Sequence, residues 1–310
     1  TSPMNAIRAK APRANVTFND GSDPAAAAAF AKGAEIAIVF VNQPESEGRD
    51  LPTLTLPDDQ DALVSAVAAA NPHTIVVLET GGPAAMPWID HVSAAIEAWY
   101  PGIRGDVALA NILFGDVNPS GKLPVTFAKS DADLPHPQIF GLRPPPAPGT
   151  ATAGRGGRGG GRGFFQPFDI DYTEGLKVGY KWFDAEGKTP LFPFGYGLSY
   201  TTYAYSGLHA SGIDSVTFTI RNTGKRAGAE IAEVYAGLPA AAQEPPKRLV
   251  GWDKIALAPG ESKTVTVKIE PKLLSIFNEQ TNDWELLPGE YTFFVGGSSR
   301  STPLTATVKH

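Results

Sequence analysis

The stretch EIAIVFVNQPESEGRDLPTLTLPDDQ, residues 35–60, joins a strongly apolar run to a cluster of charges. Residues 35–41 are apolar on both faces, which is typical of a strand buried in the middle of a parallel sheet. The charges follow at once, on Glu45, Glu47, Arg49 and Asp50. Because ligand sites in open α/β sheets gather at the carboxyl edge of the strands, this cluster is the first candidate for chemistry.

Helix and strand signals alternate on either side of this stretch. Helical patterns occupy residues 24–31, 58–71 and 106–114, and strand patterns occupy residues 74–78 and 94–99. This βαβ order predicts an α/β domain with a mainly parallel sheet covered by helices on both faces.

Beyond residue 200 the apolar positions recur with a period of two. Alternating stretches occupy residues 215–221, 229–235, 249–257, 264–269, 284–287 and 291–295, with turn signals between them. This pattern predicts an antiparallel β-sandwich of about a hundred residues. We therefore expect residues 1–200 to form the α/β domain and residues 201–310 to form the β-sandwich.

A segment of unusual composition interrupts the first domain. Residues 142–163, LRPPPAPGTATAGRGGRGGGRG, cannot bury enough apolar area to offset their ordering entropy, so we expect a flexible insertion. Its arginines, Arg155, Arg158 and Arg162, resemble the RGG segments of RNA-binding proteins, which leaves RNA binding as an alternative. The formal net charge of −6 argues against that alternative and favours a neutral substrate.

The overall composition indicates a globular chain with ample material for two cores, at 310 residues and 42% hydrophobic content. The absence of cysteine excludes a disulfide framework and a thiolate metal site, but it leaves the compartment open. The histidines lack metal-ligand spacing, so we expect no metal and no cofactor. The start at Thr1 suggests that residues upstream are missing.

Short segments along nearly the whole chain form a distinctive series. They are ESEGRDLPTLTLP (45–57), NPHTIVVLETGGPAAMPW (71–88), EAWYPG (97–102), GDVNPSGKLPVTF (115–127), YTEGLKVGYKWFD (172–184), PLFPFGYGLSYTTYAYS (190–206), RNTGKRAG (221–228), LAPGESKTVTV (257–267) and PGEYTFFVG (288–296). In this order they resemble the C-terminal half of glycoside hydrolase family three enzymes, a group that includes many β-glucosidases and β-xylosidases.

The resemblance implies an α/β sandwich domain followed by a fibronectin-III-like domain, in agreement with the periodicity. It also implies a retaining hydrolase that acts on a β-linked glucoside or oligosaccharide, and it slightly favours a periplasmic or secreted location. Full-length members carry an N-terminal (β/α)8 barrel with the aspartate nucleophile, and nothing in these residues resembles that barrel. We therefore expect the chain to be inactive without a barrel partner.

The resemblance also implies a role for Glu47. The family's Ser-Glu-Gly pattern falls on residues 46–48, which makes Glu47 the matching general acid/base. Retaining hydrolysis needs a second carboxylate, the nucleophile, about 5–5.5 Å away, and this chain supplies only the first. Glu45 is the competing candidate for the acid, and a solvated loop carboxylate is the alternative for Glu47. Arg49 and Asp50 are candidates for substrate binding, with an ion pair inside their own loop as the alternative.

A second hypothesis belongs to another functional class. The chain could be a non-catalytic carbohydrate-binding or scaffolding module that keeps the fold without the chemistry. Trp88, Trp99 and Trp182 are the aromatic side chains that could stack on sugar rings, although core or interdomain packing is the favoured role for each.

Overall fold

The computed structural model describes residues 2–47, 51–137 and 169–310. The helices are α1 (Pro3–Lys10), α2 (Pro24–Ala31), α3 (Gln60–Ala70), α4 (Gly105–Leu113) and α5 (Tyr180–Ala185). The strands are β1 (Ala37–Asn42), β2 (Thr74–Glu79), β3 (Ala94–Glu97), β4 (Tyr203–His209), β5 (Ser215–Asn222), β6 (Gly228–Gly237), β7 (Arg248–Leu257), β8 (Ser262–Lys268), β9 (Ile276–Asn278), β10 (Asp283–Glu285), β11 (Glu290–Gly296) and β12 (Leu304–Lys309). None of the helices in these ranges is long and apolar enough to cross a membrane.

The first half of the chain builds a parallel sheet with the strand order β1-β2-β3. β1 pairs with β2 in register from Ala37↔Thr74 to Asn42↔Glu79. Because all three strands run in the same direction, their carboxyl ends meet at one edge of the sheet. The sequence predicted the parallel order, but its expectation that β1 lies in the middle of the sheet was wrong, because β2 is the central strand of the three described ones. β1 is nevertheless apolar because its buried side chains pack in the same cluster as those of α3.

Helices α2 and α3 cover one face of this sheet. Asp23 caps α2, since its Oδ1 accepts hydrogen bonds from the backbone N–H groups of Ala25 (2.9 Å) and Ala26 (3.3 Å). Alternate side chains of β1 pack in the same buried cluster as Val64 and Val67 of α3. The sheet is thus a rigid support for the loops that follow its strands.

The second half is an antiparallel β-sandwich with sheets ordered β12-β11-β6-β7 and β4-β5-β8, and β9 and β10 form a separate hairpin that lies between β8 and β11 along the chain. Every second side chain along a strand points into its core, for example Val216, Phe218 and Ile220 of β5, which are fully buried. The period of two in the sequence predicted this core. The predicted fold class is therefore confirmed in outline, as an α/β domain with a parallel sheet followed by an antiparallel β-sandwich.

A buried polar cluster joins the two halves. The Lys122 ammonium lies 3.1 Å from Oε1 of Glu230 on β6, and the Tyr205 phenol donates to the same oxygen at 3.0 Å. Glu233, also on β6, is only 4% exposed and accepts a hydrogen bond from the Tyr235 phenol. Burial raises the pKa of Glu233 to about 7, against the lowering effects of this hydrogen bond and of Lys122.

The predicted Gly/Arg-rich insertion at 142–163, with Arg155, Arg158 and Arg162, lies outside the described residues. The RNA-binding alternative drawn from it therefore stays a prediction.

Candidate active site

Three short segments meet at the carboxyl edge of the parallel sheet. Residues 43–47 follow β1, residues 80–82 follow β2, and residues 98–100 follow β3. The strands hold these segments side by side although they are far apart in the sequence. This edge is where the sequence predicted a site.

Glu47 lies in a turn of the first segment, and its side chain is exposed. It is therefore open to a molecule that approaches from outside the domain, which a carboxylate enclosed by its own fold would not be. Arg49 and Asp50, the candidates for substrate binding, lie outside the described residues, as does Gly48. Their contacts stay predictions.

Glu45 is also exposed, but it packs closely against the turn that follows β2. A Cβ atom added to Gly81 would lie 2.3 Å from Oε2 of Glu45, so only a residue without a side chain leaves room for the carboxylate where it lies. The hydroxyl of Thr80 donates to the carbonyl of Gly82 at 2.8 Å and shapes this turn. The Gly81-Gly82 pair thus forms a bend that accommodates Glu45.

Tyr100, from the segment after β3, contacts the first segment. Its phenol donates a hydrogen bond to the backbone carbonyl of Gln43, four residues before Glu47. Tyr100 is 55% exposed, but local desolvation of its phenol raises its pKa and the nearby Glu45 carboxylate raises it further, while a backbone hydrogen bond with Glu45 lowers it. Tyr100 therefore lies against the start of the loop that carries Glu47.

Glu97, the last residue of β3, turns its carboxylate toward the same edge. Its Oε1 accepts a hydrogen bond from the backbone N–H of Trp99 at 2.9 Å, and its Oε2 lies 3.3 Å from the Thr80 hydroxyl. Burial raises the pKa of Glu97 to about 7, against the lowering effect of these hydrogen bonds. Glu97 is thus a carboxyl group that takes up its proton near neutral pH.

Gln43 contributes an unusual feature to this edge. Its side chain is 1% exposed, yet neither end of its amide has a hydrogen-bond partner among the residues that the structure describes. An unsatisfied buried amide is costly, and such groups are rare outside functional or strained regions.

The three tryptophans considered for sugar stacking make packing or hydrogen-bond contacts within the chain. Trp88 is 1% exposed and donates from Nε1 to Oδ1 of Asp61 at 2.8 Å. Trp99 packs edge to face on Phe127, with ring centroids 6.2 Å apart, and Trp182 donates to a backbone carbonyl. Within the described ranges no group of three or more His, Cys, Asp or Glu side chains could hold a metal ion.

Sequence reasoning identified the edge and the carboxylates on its first loop, but it missed Gln43, Glu97 and Tyr100 as parts of the same site. Glu97 and Tyr100 do stand within the EAWYPG segment that follows the predicted third strand. A polar residue at the end of that strand was the available signal, since parallel strands bring their ends together.

Family models match both halves of the chain. The model described as the glycosyl hydrolase family 3 C-terminal domain matches residues 1–200, and the fibronectin type III-like domain matches residues 230–299.

Curated relatives are similar along most of the chain. Beta-glucosidase B of Emericella nidulans is 42% identical over 283 residues, which cover 87% of this chain and 32% of the relative. Thermostable beta-glucosidase B of Acetivibrio thermocellus is 36% identical over 305 residues, which cover 94% of this chain and 37% of the relative. The chain therefore spans about a third of the length of the curated relatives that it matches.

Solved structures share the fold. Beta-D-glucoside glucohydrolase from Trichoderma reesei is 32% identical with a TM-score of 0.85, over 100% of this chain and 45% of that chain. DesR, a beta-glucosidase from Streptomyces venezuelae solved in complex with D-glucose, is 39% identical with a TM-score of 0.77, over 92% of this chain and 35% of that chain.

Proposed function

The chain belongs to glycosyl hydrolase family 3, whose C-terminal domain it matches over residues 1–200, and from this premise we propose that it is the C-terminal part of a retaining β-glucosidase-like hydrolase. In this proposal Glu47 is the general acid/base of an active site shared with an N-terminal (β/α)8 barrel. The relatives extend well beyond the region that this chain covers, which leaves room in them for such a domain.

The proposed reaction has two steps. In the first, a carboxylate nucleophile on the barrel attacks the anomeric carbon of a β-linked glucoside while Glu47 gives its proton to the departing glycosidic oxygen. In the second, Glu47 takes a proton from water as the water oxygen attacks the anomeric carbon and releases the nucleophile. The sugar leaves with its β configuration retained.

The observation that carries the proposal is the position of Glu47. Its exposed side chain stands in a turn at the carboxyl edge of a rigid parallel sheet, within the Ser-Glu-Gly pattern. A barrel with its bound sugar can reach such a group. Arg49 and Asp50 follow within three residues, and we propose them as contacts to substrate hydroxyls on the same loop.

Hydrolysis of aryl β-glucosides tests whether the active site is shared between this chain and a barrel domain. The chain alone should give no turnover above background, and the chain assembled with a family 3 barrel should be active. In the assembled enzyme Glu47→Gln should slow hydrolysis of poor leaving groups strongly, by roughly 10²–10⁴-fold, whereas Glu45→Gln serves as the matched neighbour and should have a small effect. Turnover by the chain alone, or a larger effect of the Glu45 variant, would overturn the assignment.

The competing function is a non-catalytic module that binds carbohydrate. Titration calorimetry with glucose and cello-oligosaccharides separates the two, because a binding module holds the sugar unaided. A chain that supplies only part of a shared active site should bind the sugar very weakly. Sub-millimolar binding by the chain alone would favour the module.

A further inference from the structure

The loop that carries Glu47 is fixed at its start by residues from the neighbouring strands. The last ladder hydrogen bond of β1 runs from the Gln43 N–H to the Glu79 carbonyl at 3.1 Å. The next acceptor along the chain is the carbonyl of Gln43 itself, and it receives the phenol of Tyr100. The chain leaves the sheet at this hydrogen bond and reaches Glu47 four residues later.

Tyr100 is itself held by an unusual turn. The preceding residue, Trp99, has a φ angle of +52°, in the left-handed region that bulky residues rarely adopt. Glu97 stabilises this conformation because its half-buried carboxylate accepts a hydrogen bond from the Trp99 N–H, and Phe127 packs against the edge of the indole ring. Strained residues of this kind persist only where the surroundings fix them, and they cluster at functional sites.

Glu45 connects the same loop to the turn after β2. Its carboxylate occupies the space in which a side chain at position 81 would lie, and its charge acts on the Tyr100 phenol. The segment between Gln43 and Glu47 is therefore in contact with the turn after β2 on one side and with the turn after β3 on the other.

We propose that Tyr100 is a positioning residue for Glu47, and that Glu97 holds the turn from which Tyr100 acts. This inference rests on the proposed function of Glu47. Tyr100 gives no proton to the sugar in this account. Its hydrogen bond to the Gln43 carbonyl sets the direction in which the loop leaves the sheet, and hence the distance from the Glu47 carboxyl to the glycosidic oxygen.

The consequence is specific to proton delivery. A small displacement of a catalytic group can cost up to 10²-fold in rate, and in the first step the loss should appear only where the leaving group needs a proton. Tyr100→Phe in the assembled enzyme should lower kcat/KM, which reports that first step, roughly tenfold for an alkyl β-glucoside and less than about twofold for 2,4-dinitrophenyl β-glucoside. For the alkyl β-glucoside the loss should lie in kcat, with KM unchanged. Tyr172→Phe is the matched control, because Tyr172 is 74% exposed.

Glu97 offers a test by conservative rescue. Glu97→Gln keeps an oxygen that accepts the Trp99 N–H and should retain the activity, and the neutral amide suits a site where burial raises the pKa of the carboxyl to about 7. Glu97→Leu removes the acceptor and should reproduce the Tyr100→Phe pattern. If both Glu97 variants behave alike, Glu97 has no positioning role.

Glu47→Gln, measured in the same assays, separates this inference from the proposed function. If Glu47→Gln has no effect, the proposed function fails. If Glu47→Gln slows hydrolysis of the alkyl β-glucoside and Tyr100→Phe does not, the proposed function stands and the positioning role of Tyr100 fails. A rise in KM without loss of kcat would make Tyr100 a substrate contact and would also overturn the inference.

Hydrogen exchange in the isolated chain gives a second readout that needs no barrel. The backbone amides of residues 45–47 should exchange several-fold faster in Tyr100→Phe than in the unmodified chain, while Tyr172→Phe should leave them unchanged. Equal rates in all three proteins would show that the Tyr100 hydrogen bond does not hold the loop.

Discussion

The Lys122 ammonium lies 3.1 Å from the Glu230 carboxylate, and this ion pair, about one-tenth exposed on each side, ties the α/β domain to the β-sandwich. The pair brings the segment after α4 against β6. Glu233 lies on the same strand, so the cation faces two buried carboxyl groups. The Lys122–Glu230 pair is one of several contacts across this junction, which also include the ion pairs of Asp184 with Lys247 and Arg300.

Removal of the cation should weaken the junction. Lys122→Met keeps the apolar stem but leaves the buried Glu230 carboxylate without its cation and with only the Tyr205 phenol beside it, which should lower the free energy of unfolding by roughly 3 kcal/mol. Urea denaturation at neutral pH measures the loss. Lys263→Met is the control, because Lys263 pairs with Glu261 at 3.4 Å on the exposed surface, where such pairs contribute at most about 1 kcal/mol. Equal losses would contradict a structural role for the buried pair.

Glu233 should make stability depend on pH. Burial raises its pKa from 4.5 when unfolded to about 7 when folded, so the folded protein binds this proton more tightly. Stability is then greatest below the unfolded pKa, falls as pH rises from about 4.5 to 7, and stays lower above that range. The slope is about 1.4 kcal/mol per pH unit for one proton.

Glu233→Gln isolates this effect. It should remove the slope and raise the free energy of unfolding at pH 7.5 by about 1–3 kcal/mol, as measured by urea denaturation across the pH range. The pKa of Glu97 is raised to a similar value, so Glu97→Gln should remove a comparable slope of its own. A Glu233→Gln protein with the unmodified pH profile would show that Glu233 stays charged in the fold.

Gly195 should not tolerate a side chain. Its φ angle is +81°, and an added Cβ would lie 2.2 Å from Oε2 of the buried Glu233. Gly187→Ala is the matched control, since its φ angle is +63° but no atom lies within 4 Å of an added Cβ. The control should lose about 1–3 kcal/mol of stability through backbone strain, and Gly195→Ala about 1–3 kcal/mol more through the clash. Thermal unfolding of both variants measures the difference, and equal melting temperatures would refute it.

The sequence predicted the elements that bury a whole face or both faces. The continuous apolar run of β1 and the period of two in β5 both predict strands. The predicted bounds agree with the structure to within a few residues. The sequence did not predict α1, which has no buried residue and hence no apolar stripe. It also missed β4 and β12, which lie at the sheet edges where burial is incomplete.

The candidate site was only partly predictable for a related reason. Glu45 and Glu47 follow directly after a recognisable strand, so local sequence places them at the sheet edge. Gln43, Glu97 and Tyr100 meet only because the strands pair in one particular register, and that register depends on packing between distant segments. The hydrogen bond from the Tyr100 phenol to the Gln43 carbonyl depends on that register, so local sequence could not predict it.

Chemical rescue of Glu47→Ala tests the central claim most directly. In the assembled enzyme, with 2,4-dinitrophenyl β-glucoside, the first step needs no acid, and the glycosyl-enzyme should accumulate because no base activates water. Azide attacks the anomeric carbon without a base, so it should restore turnover and yield β-glucosyl azide. Wild-type turnover by Glu47→Ala, with no response to azide and no azide product, would contradict the assignment of Glu47 as the acid/base.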